Sequence, residues 1–220
     1  MENYKNFEEL TVWNNPEFWT DGGHEWSKFF GNTDNLWNTH LFDDLKDFRG
    51  KKILEIGPGL GRMTQYLSVL ADQLIVVDYN KYCLEELRKK MSHHVLAYFL
   101  NDGNSLSDVR NNSQDLVFSF GSFIYMHKNI IFDYLKEIER VLEIGGYGII
   151  HHSNLWGGSE KSFMNNGNRS NMTGELFREY VEQLGMVVVE QKFIQVDHGN
   201  PRWNGVDIIT TFRKTKFRQL

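Results

Sequence analysis

The sequence predicts an α/β fold in which a mostly parallel sheet of seven strands carries helices on both faces, preceded by an aromatic-rich helical extension. Three observations indicate this fold. From Lys51 onward, apolar runs of strand length alternate with segments of helical periodicity. Glycines at positions 57, 59 and 61 directly follow the first of these runs. Two β-rich segments with no helix between them end the pattern, which is typical of an antiparallel hairpin at the edge of a sheet.

The composition fits one globular domain and argues against several classes of protein. The chain has 220 residues, 40% of them hydrophobic, which is enough to bury a sizeable core. The formal net charge is −5, and the sequence has no clustered excess of Lys and Arg, which a dedicated nucleic-acid binder would need. No signal segment and no apolar run of spanning length is visible, and the single cysteine, Cys83, cannot form an internal disulfide. We therefore expect a cytoplasmic protein that spans no membrane.

Residues 1–46 are expected to form the helical extension, and residues 47–220 to form one compact sheet domain. A proline and three glycines interrupt the extension, so two or three short helices are predicted rather than one long helix. Its aromatic residues either pack on the flank of the sheet or act as a lid that closes over a ligand. Trp19 and Trp26 are the rings that we expect to contact a ligand.

The first strand ends in a turn that can cradle a small molecule. Apolar Ile53, Leu54 and Ile56 lead into the three glycines, and a helical pattern begins directly after them. Glycine allows a ligand to approach the main chain, and the following helix points unpaired N–H groups at it. A dinucleotide fingerprint that started at Gly57 would need a third small residue at position 62, which is Arg62.

Acidic residues follow the next two strands. Leu74–Val77 is a continuous apolar run that leads into Asp78, and Asn80 can cap the helix that follows. About 20 residues after a glycine turn, an acid such as Asp78 can accept hydrogen bonds from both hydroxyls of an adenosine ribose. The third strand, Val95–Leu100, is followed by Asp102, where a plain Asx turn is one interpretation.

The loop after the fourth strand, Asp115–Phe120, should face the reacting part of a ligand, because ligands of open parallel sheets bind outside the carboxyl ends of the strands. This loop offers the polar side chains of Ser122, Tyr125 and His127. A helix of strong apolar periodicity follows, and we expect it to end at Gly145-Gly146.

The remainder of the chain closes the sheet. Tyr147–His152 is predicted to be the fifth strand, and the irregular segment 154–172 after it is long enough to be functional. We expect this segment to overhang the site and Arg169 to anchor an anionic group. Thr173 can cap a helix, which two strands at 187–196 and 206–212 follow.

The run E-x-G-x-G-x-G from Glu55 to Gly61 resembles motif I of the class I S-adenosylmethionine (SAM) methyltransferases. With Asp78, the Asp102-Gly103 pair and the segment RVLEIGGYGIIHHSN, four features follow the order of that family over most of residues 51–212. The resemblance implies a Rossmann-like sheet, SAM as cofactor and S-adenosylhomocysteine as product. The cofactor-binding residues that it implies are Glu55, Gly57, Gly59, Gly61, Asp78, Tyr79, Asp102, Gly103 and Ser119.

Four segments, NNPEFWTDGGHEWS, ILEIGPGLGRMTQYL, NDG and IIHHSNL, are similar to a bacterial subgroup associated with surface polysaccharide synthesis. This similarity implies methyl transfer to a hydroxyl of a sugar or sugar nucleotide, with a small molecule or glycan as partner. One alternative is another small molecule, such as a phosphorylated amine, a phosphoramidate or a natural product. The other is a catalytically silent binding subunit of the same fold. A homodimer is left open.

A sugar hydroxyl is a poor nucleophile at neutral pH, so its methylation usually needs a general base. His152, toward the end of the fifth strand, is the first candidate, His127 the second and His151 the third. Because adjacent strand residues point to opposite faces, we expect at most one of His151 and His152 to reach the acceptor directly. Each of them could instead be a structural histidine. Trp19, Trp26, Tyr125 and Arg169 are the expected substrate-binding residues. No metal site is expected, because neither these histidines nor Asp197-His198 have the spacing of a metal motif.

Overall fold

A computed structural model describes residues 13, 15–155, 169–194 and 205–216. Seven strands form one sheet: β1 (Lys52–Ile56), β2 (Gln73–Asp78), β3 (Ala97–Leu100), β4 (Gln114–Ser119), β5 (Leu142–Ser153), β6 (Met186–Ile194) and β7 (Asp207–Lys214). Their order across the sheet is β3-β2-β1-β4-β5-β7-β6. Strands β1 to β5 pair in parallel, and β7 runs antiparallel to both β5 and β6. The predicted sheet and its terminal hairpin are therefore confirmed.

The α-helices of the described residues are α1 (Thr33–Leu36), α2 (Phe42–Leu45), α3 (Thr64–Leu70), α4 (Lys81–Met91), α5 (Lys128–Val141) and α6 (Gly174–Gln183). Two of them begin at caps that the sequence predicts. The Asn80 side chain accepts the N–H of Cys83 at 3.3 Å, and the Thr173 hydroxyl accepts the N–H of Leu176 at 3.1 Å. In the parts of the chain that the structure describes, no helix has the length and apolarity to cross a membrane.

Side-chain alternation along β1 divides the interior into two cores, one on each face of the sheet. Leu54 and Ile56 belong to a cluster that includes Phe177 of α6. Ile53 belongs to a second cluster that includes Trp37 of the N-terminal extension. Because successive strand residues point to opposite faces, one strand contributes to both cores. The central strands are thus buried on both sides, as a parallel sheet requires.

The N-terminal extension is built into the second core. It contains 3₁₀ turns at Pro16–Phe18 and His24–Phe30, followed by a helical run from Thr33 to Phe48 that mixes α, π and 3₁₀ geometry. Trp37 in this run is almost fully buried and stacks on Tyr66 of α3, with ring centroids 4.6 Å apart. Packing on the sheet therefore accounts for one side of the extension. The domain boundary at residue 46 stays a prediction.

The transition from α5 to β5 differs from the sequence prediction. The helix ends at Val141 and the strand begins at Leu142, so the Gly145-Gly146 pair lies inside β5 and does not end the helix. At this point the pairing of β4 with β5 shifts register between Gln114 and Leu116, and Gly145 has a φ of 87°. A positive φ suits a bulge as well as a helix end, which is why the glycines misled the prediction.

Candidate cofactor and acceptor site

A cavity of about 390 Å³ opens at the carboxyl ends of the parallel strands. The residues that follow β1, β2 and β4 line it, together with side chains of β5 and β7 and the aromatic rings of the extension. Its polar lining residues are Glu55, Arg62, Asp78, Tyr79, Asn80, Ser122, Tyr125, Tyr134, His151, Arg169 and Asp207. Open parallel sheets bind ligands at this edge, so the cavity is the candidate site.

The glycine turn after β1 forms one wall of the cavity. Gly57 and Gly59 have φ values of 69° and 55°, in the left-handed region that side chains disfavour. A Cβ atom on Gly57 would overlap the hydroxyl of Ser122, which donates a hydrogen bond of 3.0 Å to the Gly57 carbonyl. A Cβ atom on Gly59 would lie 2.7 Å from the ring of Trp19. Both positions therefore require glycine for backbone geometry and for space.

The carboxyl group of Asp78 joins the end of β2 to this turn. It is 6% exposed, and its two oxygens accept the N–H of Gly59 at 3.2 Å and the N–H of Asn80 at 2.9 Å. Burial raises the pKa of Asp78 to about 6, although these backbone hydrogen bonds oppose the shift. The group is thus held in one orientation at the cavity wall.

Glu55 lies on β1, next to the same turn. Its carboxyl group accepts a hydrogen bond of 2.7 Å from the hydroxyl of Thr64. Burial raises its pKa to about 8, so the protonated carboxyl group is favoured at neutral pH. A cationic ligand group placed beside it would favour the charged form instead.

Two predicted cofactor residues do not reach the cavity. Asp102 is exposed, and its carboxylate accepts the N–H groups of Asn104 and Ser105 at 3.2 and 2.9 Å, in the Asx turn that the sequence left open. Ser119 is fully buried and donates a hydrogen bond of 2.7 Å to the carbonyl of Ile56, so it ties β4 to β1. By contrast, Gly103 and Tyr79 line the cavity, as the resemblance implied.

The placement of the histidines reverses the predicted order of the base candidates. His152 is fully buried outside the cavity lining, and its ring nitrogens contact the Ser153 carbonyl at 2.8 Å and the Thr210 hydroxyl at 2.7 Å. Its ring stacks on Phe177 with centroids 3.9 Å apart. The prediction that His152 faces the acceptor is therefore wrong, because the alternation along β5 turns it into the core.

His127 also lies outside the cavity lining. It forms the N-cap of α5, and its Nδ1 accepts the N–H of Asn129 at 3.3 Å. A ring nitrogen that caps a helix is occupied by a structural role. The geometry therefore does not support the prediction of His127 as a base.

His151 is the histidine of β5 that lines the cavity. Its Nδ1 accepts the N–H of Gly121 at 3.2 Å, which places the proton of the neutral ring on Nε2. Among the described residues, Nε2 has no hydrogen-bond partner, and the Asp207 carboxylate is 3.9 Å away. Burial lowers the pKa of His151 to about 4. His151 is therefore arranged to donate a hydrogen bond and not to accept a proton.

Arg169 reaches the cavity as predicted, but it is engaged there by an acid that the sequence analysis missed. Its guanidinium donates two hydrogen bonds of 2.8 Å to Asp207, which begins β7 and is 2% exposed. It also lies 5.9 Å from the ring centre of Tyr125. The pairing of β5 with β7 brings Asp207 beside Ser153, a long-range contact that no local motif announces. Arg62 was likewise not predicted to be a site residue, since the sequence indicated it only as the bulky residue that excludes a dinucleotide fingerprint.

The aromatic rings of the extension cover the cavity. Trp19 and Trp26 both line it, with ring centroids 5.2 Å apart, and Trp13 packs on both of them. Trp13 also lies 4.9 Å from the ring of Tyr125. The extension thus contacts the glycine turn on one side and the loop after β4 on the other. That a ring touches the bound ligand stays a prediction.

Within the described residues, no group of three His, Cys, Asp or Glu side chains is arranged to hold a metal ion. Asp197 and His198, which the sequence analysis considered as ligands, lie outside those residues.

Comparison with known proteins connects this site to methyl transfer. The family model of the methyltransferase domain matches residues 54–150, which contain the glycine turn, Asp78 and most of β5. Phosphoethanolamine N-methyltransferase 3 of Arabidopsis thaliana is 29% identical over 105 residues, which are 47% of this chain and 21% of that protein. The chain therefore matches about a fifth of the length of this curated relative.

Solved structures share the fold over most of the chain. In the complex of the Haloferax volcanii Trm112 methyltransferase activator with a methyltransferase, one chain matches at a TM-score of 0.69 and 16% identity, covering 97% of this chain and 99% of its own length. A SAM-dependent methyltransferase of Mesorhizobium loti matches at a TM-score of 0.65 and 13% identity, covering 81% of this chain and 97% of its own length. The chain therefore has the class I methyltransferase fold, its residues 54–150 match the methyltransferase-domain family, and SAM is the cofactor that this assignment implies.

Proposed function

We propose that this chain transfers a methyl group from SAM to a small-molecule acceptor bound in the same cavity. The observation that carries the proposal is the carboxyl group of Asp78, held by the N–H groups of Gly59 and Asn80 at the glycine turn. An acid in this place, next to a turn that admits a ligand against the main chain, suits an adenosine ribose. The cavity continues from there to the residues that follow β4, where an acceptor would meet the cofactor.

The cofactor half of the cavity supplies the groups that SAM needs. Asp78 would accept hydrogen bonds from the ribose hydroxyls, and Tyr79 and Gly103 would border the adenosine. Glu55 would face the methionine ammonium group, whose charge restores the ionised carboxylate that burial disfavours. Gly57 and Gly59 would let the cofactor lie against the backbone.

The acceptor half has to position a nucleophile and exclude water. Methyl transfer from a sulfonium is an in-line displacement, so the nucleophile must lie about 3 Å from the methyl carbon. Trp13, Trp19 and Trp26 cover the cavity, and Tyr125 packs against Trp13 on the acceptor side. This cover would keep water away from the sulfonium.

An amine is the acceptor that the histidine geometry favours over a hydroxyl. A sugar hydroxyl, which the sequence favoured, stays a weak nucleophile unless a base removes its proton, whereas an amine is a strong nucleophile once its ammonium group has lost a proton to water. Of the three candidate histidines, only His151 lines the cavity, and its Nε2 carries the proton of the neutral ring, since Nδ1 accepts the N–H of Gly121. The similarity to phosphoethanolamine N-methyltransferases supports the same choice. O-methylation in glycan synthesis, a homodimer and a cytoplasmic location stay predictions of the sequence.

Calorimetric titration of the full chain with S-adenosylhomocysteine, with NAD as the control ligand, tests the cofactor assignment. We expect binding on the order of micromolar for the first and no heat for the second. Asp78→Ala should abolish binding, whereas Asp72→Ala, at the exposed other end of β2, should leave it unchanged. Unchanged affinity in Asp78→Ala would overturn the assignment. Incubation with SAM and a panel of amines and sugar nucleotides would then identify the acceptor.

A further inference from the structure

The guanidinium of Arg62 is a cation that the proposed roles leave unused. Arg62 follows the last glycine of the turn, is partly buried and lines the cavity. One of its nitrogens donates a hydrogen bond of 3.1 Å to the Ser27 hydroxyl, and its Cζ lies 5.4 Å from the ring centre of Phe120. Among the described residues, no carboxylate lies within 4 Å of it. Such a cation is stabilised by an anion that enters the cavity.

The charges around Arg62 do not provide that anion. Glu25 and Glu55 are the acids whose charges act on Arg62, and neither of them forms an ion pair with it within 4 Å. The Glu25 carboxylate accepts the N–H of Gly23 at 2.8 Å, and Glu55 accepts the Thr64 hydroxyl. Burial lowers the pKa of Arg62 to about 10, which still leaves the guanidinium charged at neutral pH.

His151 provides a second donor near Arg62, at the edge of its ring where Nε2 lies 3.9 Å from the Asp207 carboxylate that Arg169 holds. It is 5% exposed, and its protonated Nε2 has no hydrogen-bond partner among the described residues. Its ring stacks on Phe120 with centroids 4.3 Å apart, so Arg62 and His151 contact the same aromatic ring. Both also flank Gly121: its N–H is bonded to His151, and an Arg62 nitrogen lies 2.9 Å from where a Cβ of Gly121 would stand.

We propose that Arg62 and His151 form an anion-binding subsite that holds a carboxylate or phosphate group of the methyl acceptor. The inference rests on the proposed function and narrows its substrate class to amines that carry such an anionic group. A planar guanidinium fork and one further N–H donor suit the oxygens of either group. Exclusion of water from the cavity would strengthen these hydrogen bonds. The subsite would then both orient the acceptor and select for acceptors that carry the charged group.

The same chemistry could come from the carboxylate of the cofactor, and the position of the subsite favours the acceptor. Gly121 follows β4, and Tyr125, Arg169 and Asp207 also border this end of the cavity. The carboxylate of the cofactor would lie next to its ammonium group at Glu55, whereas Gly121, which Arg62 and His151 both flank, follows β4 at the acceptor end. Within the part of the chain that the structure describes, Arg169 is paired with Asp207 through two hydrogen bonds, whereas Arg62 has no carboxylate within 4 Å.

Two calorimetric titrations on the full chain separate these sources. The first measures S-adenosylhomocysteine, and the second measures inorganic phosphate added to the protein saturated with S-adenosylhomocysteine. The variants are Arg62→Gln, Arg62→Lys and His151→Phe, which keeps the stacking on Phe120. Arg88→Gln is the matched control, because Arg88 also lies over an aromatic ring, Tyr98 at 5.0 Å, but outside the cavity.

We expect phosphate to bind the wild-type complex and to bind at least about tenfold more weakly to Arg62→Gln. The phosphate affinity of Arg62→Lys should fall between those of wild type and Arg62→Gln, and His151→Phe should bind phosphate about fivefold more weakly than wild type. S-adenosylhomocysteine affinity should change less than about twofold in all of them. If wild-type protein binds S-adenosylhomocysteine but not phosphate, or if Arg62→Gln weakens S-adenosylhomocysteine instead, the subsite proposal is overturned. If wild-type protein fails to bind S-adenosylhomocysteine in the first titration, the proposed function itself has failed.

Discussion

The side-chain amide of Asn80 donates a hydrogen bond of 2.7 Å to the carbonyl of Trp13, a residue 67 positions earlier in the chain. Asn80 also caps α4 and donates its backbone N–H to Asp78. The same carbonyl of Trp13 accepts the indole N–H of Trp19 at 3.0 Å. The aromatic cover is thus attached to Asn80, two positions after Asp78, the proposed ribose-binding acid. Cofactor binding and the position of the cover should therefore be coupled.

Because the Trp19 ring lies against Gly59, a ligand at the glycine turn should change its surroundings. We predict that S-adenosylhomocysteine changes the intrinsic fluorescence of the protein and that Trp19→Phe loses most of that change. Trp37→Phe is the control, because Trp37 is buried against Tyr66 away from the cavity and should keep the full signal. A full fluorescence change in Trp19→Phe, with unaltered affinity, would show that the cover does not sense the cofactor.

The raised pKa of Glu55 predicts a pH-dependent stability. Burial raises this pKa from 4.5 to about 8, so between these values the folded state binds more protons than the unfolded state. Glu55 therefore costs stability progressively as the pH rises from about 4.5 to about 8. Glu55→Gln, which keeps an oxygen for Thr64, should raise the free energy of unfolding at pH 9 by on the order of 2 kcal/mol.

Urea unfolding at pH 4 and pH 9 measures this effect. The difference between Glu55→Gln and wild type should vanish toward pH 4, where both side chains are neutral. Glu190→Gln is the control, because Glu190 is exposed on β6. A Glu55→Gln variant that is less stable than wild type at pH 9 would mean that the Glu55 carboxylate is stabilised when charged.

The parallel strands and the glycine turn were predictable because their signals are local. Ile53 to Ile56 and Leu74 to Val77 read as buried strands by composition alone, and the glycines mark the turn directly. Asp78 could be identified as a site residue because a strand of defined length carries it to the same edge as the turn. These predictions depend on residues within about 20 positions of one another.

The acceptor half could not be predicted in the same way. His151 and His152 are adjacent in a strand with apolar residues on both faces. The sequence therefore does not indicate which of the two histidines points to which face of the sheet. His152 enters the core because Phe177 of α6 packs on that face. Asp207 reaches Arg169 only because β7 pairs antiparallel with β5. The paired residues of these two strands, such as His152 and Ile208, are more than 50 positions apart in the chain.

The tautomer of His151 predicts which substitutions at this position the proposed methyl transfer tolerates. If His151 donates a hydrogen bond from Nε2, His151→Gln can replace the donor, whereas His151→Phe cannot. With an acceptor identified by screening, we expect His151→Gln to retain kcat/KM within about fivefold and His151→Phe to lose at least about tenfold. A general base would instead lose about a hundredfold or more with either variant.

The pH profile of kcat provides a second readout for this role. Burial lowers the pKa of His151 to about 4, so the ring should stay neutral and the profile should show no histidine inflection between pH 5 and pH 8. An inflection in that range that His151→Gln removes would identify His151 as the base and return a hydroxyl acceptor to first place.

The Arg169–Asp207 pair should be the ion pair of the site on which stability depends most. Asp207 is 2% exposed and holds Arg169 through two hydrogen bonds of 2.8 Å, so Asp207→Asn leaves a largely buried guanidinium without its counter-charge. Removal of one partner of a buried pair costs about 3 kcal/mol, because the remaining charge stays desolvated. The double variant Arg169→Gln/Asp207→Asn should recover part of that loss, since neither charge remains. Asp43→Asn, which breaks an exposed pair with Lys46, should produce no measurable change in urea unfolding. Equal stability of Asp207→Asn and wild type would show that the pair makes no net contribution to the stability of the fold.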